Sequence, residues 1–146
     1  MSAEANKQVV VDHLNLAWNQ GEFNELANHV TKNFYYQTTF TDNILNFEQY
    51  VQYVKSFREA IPDINLDIEE VMAENGRVMS HVSFSGTVQK SVFGIPASDR
   101  IIAFPAISLW DVRQGKVASL STLVDMTSVS RQVGVSLDPE ETIKIW

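Results

Sequence analysis

Of the ionisable residues in this chain, Asp125 has the type and phase best suited to moving a proton. It continues the alternating set Val117, Ser119, Ser121 and Leu123, so if Val117 and Leu123 face a core, Asp125 faces it as well. A carboxylate held among apolar walls has its charged form disfavoured, which raises its pKa toward the range useful for accepting and returning a proton. The same position equally suits a partly solvated strand-end Asp that caps a helix starting near Thr127 or Ser128. Tyr35 and Gln37 share one strand face and, if that face is inward, can orient a bound carbonyl by hydrogen bonds. Gln37, Ser119 and Ser121 are the candidate polar orienters around Asp125.

Around such groups a pocket needs apolar walls, and Trp18, Tyr35, Tyr53, Phe57, Phe84, Phe104 and Trp110 can supply them. At these spacings the same aromatics also serve as plain core. The histidines offer less. His81 is out of phase with Val82 and Phe84 and belongs on the other sheet face, whereas His29 suits the end of a helix, where an imidazolium favours the dipole. His13 lies on a helix flank and is expected to be exposed. No two histidines have metal-ligand spacing, so no metal is expected. With no cysteine there is no thiolate nucleophile and no disulfide, and no phosphate loop or nucleophile elbow appears. The net charge of −7, from 18 acidic against 11 basic residues, argues against nucleic acid as a partner. The apolar run Ile101 to Trp110 is too short to span a bilayer, and the N-terminus lacks the apolar core of a signal peptide. A cytoplasmic protein without a membrane partner is the expectation.

The elements that must position these residues follow from the periodicity. Val10, Leu14, Ala17 and Trp18 share a helix face between a Ser2 cap and Gly21. Phe23, Leu26, Ala27 and Val30 then mark a second helix, and Asn46 with Gln49 forms a capping box for a third that buries Tyr50, Val51, Val54 and Phe57 and ends at Pro62. A β-prone stretch, residues 34–40, lies between the second and third helices. From Asp63 the period becomes two, with Asn75-Gly76 as a type I′ hairpin turn and Gln114-Gly115 joining two further long strands. Helices grouped before antiparallel strands imply an α+β fold of one domain over residues 1–146, its curved sheet wrapped around the three N-terminal helices to leave an internal pocket. The tail from Ser136 to Trp146 has no clear place, although Asp138-Pro139-Glu140-Glu141 can open a short helix. Apolar residues in both phases of one strand, among them Ile101, Ile102, Phe104, Ile107 and Leu109, imply that the outer sheet face is also covered, as in a homodimer through that face.

Several strings, in this order, resemble the SnoaL-like polyketide cyclase family of the NTF2-like superfamily over roughly Val9 to Gly134. They are Trp18-Asn19-Gln20-Gly21, Phe57-Arg58-Glu59-Ala60-Ile61-Pro62-Asp63, Ser85-Gly86-Thr87, Phe93-Gly94-Ile95-Pro96, Gly115-Lys116-Val117, and Asp125 followed by Val129, Gln132, Val133 and Gly134. The resemblance implies a cone-shaped α+β domain. It also implies a cofactor-independent cyclase or isomerase that acts on a small apolar, carbonyl-bearing substrate with Asp125 as acid/base. Where the family often shows His, this chain has Gln37 and Val88, and where it tends to show Glu and a bulky aromatic or His on the last strand, it has Ser119, Leu120 and Ser121. That departure leaves open a non-catalytic module using the same fold as a ligand receptor or dimer scaffold. The Asp-Arg-Asp arrangement of limonene-type epoxide hydrolases cannot be placed on this sequence.

Overall fold

A computed structural model describes residues 2–134; the possible helix in the C-terminal tail lies outside the described residues. Helix α1 (Ala3–Leu14) begins where Ser2 accepts a hydrogen bond from the Ala5 amide at 3.1 Å. Its chain does not stop at Leu14 but loosens into a π-helical turn, Asn15–Gln20, that ends on left-handed Gly21. The Asn19 side chain bonds both backbone groups of Leu66, and Arg58 donates to the Trp18 carbonyl. A Cβ on Gly21 would come within 2.7 Å of the Arg58 guanidinium, so glycine is needed here for space as well as for φ. The Trp-Asn-Gln-Gly string is thus the joint between the first helix, the third and the sheet.

The second helix is shorter than its spacing implies. Helix α2 (Phe23–Leu26) gives way to a 3₁₀ turn, Ala27–His29, and Val30 already opens strand β1 (Val30–Thr38). The β-branched Val30 pairs with Val117, so sheet pairing overrides the helical period. Helix α3 (Phe47–Ala60) starts on the Asn46/Gln49 capping box, with both reciprocal bonds at 2.9 Å. It buries Tyr50, Val51, Tyr53, Val54 and Phe57.

Strands β2 (Asn65–Glu74), β3 (Arg77–Thr87), β4 (Ile101–Arg113) and β5 (Lys116–Val124) form an antiparallel run. Strand β1 adds in parallel to β5, giving the order β1-β5-β4-β3-β2. At Gln114-Gly115 both turn residues are left-handed (φ 50 and 78), as a type I′ hairpin needs. Asn75-Gly76 does not form that turn, because Asn75 is left-handed (φ 54) but Gly76 is not. Gly76 serves a close approach instead: the Val112 amide donates to its carbonyl, and a Cβ there would lie 2.7 Å from the Val112 oxygen. In the Ser-Gly-Thr string, a Cβ on Gly86 would lie 2.3 Å from Ile61, and Thr87 bonds the Asp63 carboxylate through both its amide and its hydroxyl. Those bonds hold the Asp63 carboxyl below its usual range. Helix α4 (Met126–Val133) closes against β4, where the Gln132 side chain bonds both backbone groups of Ala103 at 2.7 Å. The core lies between α1, α3 and the inner face of the sheet. Among the described residues no helix is long and apolar enough to cross a membrane.

Candidate functional site

One interruption of the sheet decides which residues meet the helices. Along β4 the inner set is Ile102, Phe104, Ala106, Ser108, Trp110 and Val112, all buried. Val112 pairs with Val117, but Asp111 already pairs with Ser119, so Ala118 is an extra residue in β5. This β-bulge reverses the phase of everything after it. Leu120, Thr122 and Val124 turn inward, opposite Trp110, Ser108 and Ala106.

The inward residues enclose a narrow chamber. Its walls are Leu14 and Trp18 from the first helical segment, Tyr50, Tyr53 and Phe57 from α3, and Tyr36 with Phe40 from β1 and the turn after it. Ile64, Val82, Phe84, Phe104, Ser108, Trp110, Leu120, Thr122 and Val124 complete the lining. The chamber is narrow, with a cavity volume of about 30 Å³. As it stands it suits a solute of a few heavy atoms, and larger molecules require side chains to swing. Among the described residues no lining side chain is charged.

The chamber's polarity comes from neutral groups. The Ser108 and Thr122 hydroxyls meet at 2.8 Å, Thr38 and Tyr53 at 3.2 Å, and the Trp110 indole donates to Ser80 at 2.8 Å. Burial pushes the phenols of Tyr36, Tyr50 and Tyr53 above their usual range, so each is a protonated donor at neutral pH. Behind Tyr50 stands His13, fully buried, with Nε2 2.9 Å from the Tyr50 hydroxyl and the ring edge-on to Trp110. Burial first, and His29 second, lower the His13 pKa to about 3, so the imidazole is neutral.

The structure gathers Trp18, Tyr53, Phe57, Phe84, Phe104 and Trp110 around this chamber. It does not bring Tyr35, Gln37, Ser119, Ser121 or Asp125 there. Tyr35 and Gln37 point outward because Phe34, Tyr36, Thr38 and Phe40 form the buried set of that segment. Ser119 and Ser121 lie on the outer face because of the bulge. Asp125 is exposed and accepts the Ser128 amide at 3.1 Å as the cap of α4. Arg58 is paired with neither Asp63 nor a chamber carboxylate but with the Trp18 carbonyl.

His13 is a correction of another kind. It is buried, not exposed, because it sits three residues after Val10 and four before Ala17, within the apolar face. That spacing was a readable signal, as was the shared parity of Tyr36 and Thr38 with Phe34 and Phe40 and of Ser108 with Phe104 and Trp110. His81 is half-buried on the outer face, and His29 pairs with Glu25 at 3.3 Å. Among the described residues no cluster of His, Asp and Glu could hold a metal ion.

Comparison with known proteins bears on the fold around this chamber. A family model described as SnoaL-like polyketide cyclase matches residues 8–133. A SnoaL-like polyketide cyclase from Agrobacterium tumefaciens superposes with a TM-score of 0.78 at 19% identity, over 92% of this chain and 100% of that one. TsrD from Streptomyces laurentii gives 0.79 at 20% identity, covering 92% of this chain and 98% of that one. A Catenulispora acidiphila protein of ketosteroid isomerase-like fold, in complex with trimethylamine, gives 0.72 at 16%, over 90% and 95%. No curated protein matches the sequence. At these identities the structural likeness establishes the α+β, NTF2-like cone and leaves chemistry to the residues.

Proposed function

The chain belongs to the SnoaL-like polyketide cyclase family, and from that premise we propose that it is a binding protein for a small, neutral, largely apolar molecule carrying a hydrogen-bond-accepting oxygen. The observation that carries the reading is the chamber lining: among the described residues, aromatic and aliphatic walls whose polar groups are phenols, hydroxyls and indole N–H groups, with no charged side chain. Such a lining attracts an apolar body and rewards a carbonyl or ether oxygen, but offers an ion no opposite charge. Its narrowness favours a compact ligand, and the trimethylamine held by a neighbour of the same fold is of that scale.

A cyclase or isomerase using Asp125 is the second reading, favoured by the place of that residue in the family's closing motif. Catalysis of this kind needs the carboxylate within hydrogen-bond reach of the substrate. Asp125 is instead exposed and outside the chamber lining, with one carboxylate oxygen accepting the Ser128 amide as the helix cap. The two readings part on Asp125→Asn, since asparagine caps as well as aspartate. The binding reading expects calorimetric affinity for cyclic ketones to be unchanged in that variant, while Phe104→Trp, which fills the chamber, abolishes it. Loss of binding, or of turnover of a polyketide-like substrate, in Asp125→Asn with the fold intact would favour the acid/base reading.

For assembly, we propose a homodimer through the outer sheet face. Ile107, Leu109 and Leu123 are exposed there in neighbouring register, with Met79 opposite Leu109 and Met72 next to it across β2. An apolar patch of that extent on the central strands favours a self-complementary contact. Sedimentation at micromolar concentration should report a dimer that Leu109→Asp dissociates; a monomeric wild type contradicts the proposal.

A further inference from the structure

Resting on the binding reading, we propose that Tyr50 is the residue that recognises the ligand's oxygen, its phenolic proton aimed into the chamber by His13 behind it. Among the described residues the Tyr50 oxygen has His13 Nε2 at hydrogen-bond distance, 2.9 Å away. His13 is neutral, so one of its nitrogens carries the single ring proton and the other a lone pair.

Two tautomers are open to it. With the proton on Nδ1, that N–H is buried with no partner among the described residues. With the proton on Nε2, the ring donates to the Tyr50 oxygen and only a lone pair is left unpaired. An orphaned buried N–H is the rarer and costlier of the two, so hydrogen-bond accounting assigns the proton to Nε2. The Tyr50 oxygen then accepts from His13, and its own proton must find an acceptor elsewhere. Among the described residues none is in reach, while the ring forms part of the chamber wall.

That bond adds polarity to the phenolic O–H, and an Nε2-protonated imidazole cannot take its proton away. The device is therefore a neutral, preorganised donor in an apolar enclosure. It selects a carbonyl or ether oxygen over a hydrocarbon of the same shape, because an unpaired buried hydroxyl is costly when the ligand cannot accept. His13 is a positioning residue in this scheme, since it fixes the direction of the proton without touching the ligand.

The test uses two isosteric probes, cyclopentanone and methylenecyclopentane, with trimethylammonium as a third. Binding to the full chain is followed by calorimetry in wild type, Tyr50→Phe, His13→Leu and His13→Gln. The expected result is ketone preferred over hydrocarbon by about tenfold in wild type, with that preference gone in Tyr50→Phe while hydrocarbon affinity is retained. His13→Leu should reduce the preference and His13→Gln, whose amide can still donate to the Tyr50 oxygen, should restore it. Nitrogen chemical shifts of His13 should report the proton on Nε2, a readout that a merely structural histidine would leave undetermined. Unchanged preference in Tyr50→Phe, a proton on Nδ1, or trimethylammonium binding above the ketone overturns the assignment while the chamber reading stands. If wild type binds no probe, the chamber reading falls and this inference falls with it.

Discussion

Strand β5 presents two faces built from neighbouring residues, and they have opposite fates. Leu120, Thr122 and Val124 reach the chamber, whereas Ser119, Ser121 and Leu123, each one position away, lie outside with Tyr35 and Gln37 alongside. Nothing in residue type separates Ser121 from Thr122. The single extra residue at Ala118 does, because a one-residue shift carries every later side chain to the opposite face. A candidate site chosen by strand phase is therefore only as good as the register, and the register turns on a bulge that has no strong sequence mark.

The largest expected effect separates the two faces by stability. Trp110→Ala removes a fully buried indole and its bond to Ser80, and should cost about 3–5 kcal/mol. Leu109→Ala, one residue away on the half-exposed outer face, should change monomer stability by no more than about 0.5 kcal/mol. Urea midpoints at dilute concentration compare them, and equal losses would mean the faces are misassigned.

The next effect is pH dependence. The His13 pKa is depressed on folding from 6.5 to about 3, so between those values the unfolded chain binds the extra proton. Stability from keeping His13 neutral is fully present above pH 6.5 and is lost as pH falls toward 3. Between pH 7 and 4.5 the loss should be about 2–3 kcal/mol in wild type and absent in His13→Leu, as judged from urea midpoints across that range. Asp63 does not confuse this window. Its lowered pKa gives stability that is present above its unfolded value of 3.8 and disappears only at lower pH. A wild-type slope equal to that of His13→Leu would place the imidazole in solvent.

The smallest effect sharpens the comparison within β5 itself. Thr122→Val keeps the shape but removes the 2.8 Å bond to Ser108, and should cost about 1 kcal/mol. Ser121→Ala should be close to neutral. Thermal denaturation of both variants distinguishes them, and a reversed order would put Ser121 inside.

Much of the fold was legible because its devices are local. The Ser2 and Asn46/Gln49 caps, the Gln114-Gly115 turn and the Pro62 stop all act within a few residues, and the structure shows each at its expected place. The strings that carry the family resemblance prove to be joints. Asn19 ties to Leu66, Gly86 makes room for Ile61, and Asp63 holds Thr87. Such joints specify a cone and say little about its contents. The chamber was read in half. Its aromatic walls were visible as large apolar residues, but Tyr36, Ser108 and Thr122 became lining through strand parity and the bulge, which are settled between strands. His13 shows why residue type alone misleads, because its spacing sets a polar side chain within the apolar face of α1. The shortened second helix has the same origin, since Val30 exchanges a local period for a distant partner, Val117.

The most direct test of the inward face as the binding face is a methyl-selective NMR titration with cyclopentanone. The account predicts that resonances of Val82, Leu120 and Val124 shift together in a saturable way, while those of Leu109 and Leu123 and the carboxyl of Asp125 stay in place. Saturable shifts at Leu123 and Asp125 with the chamber methyls unmoved would contradict it.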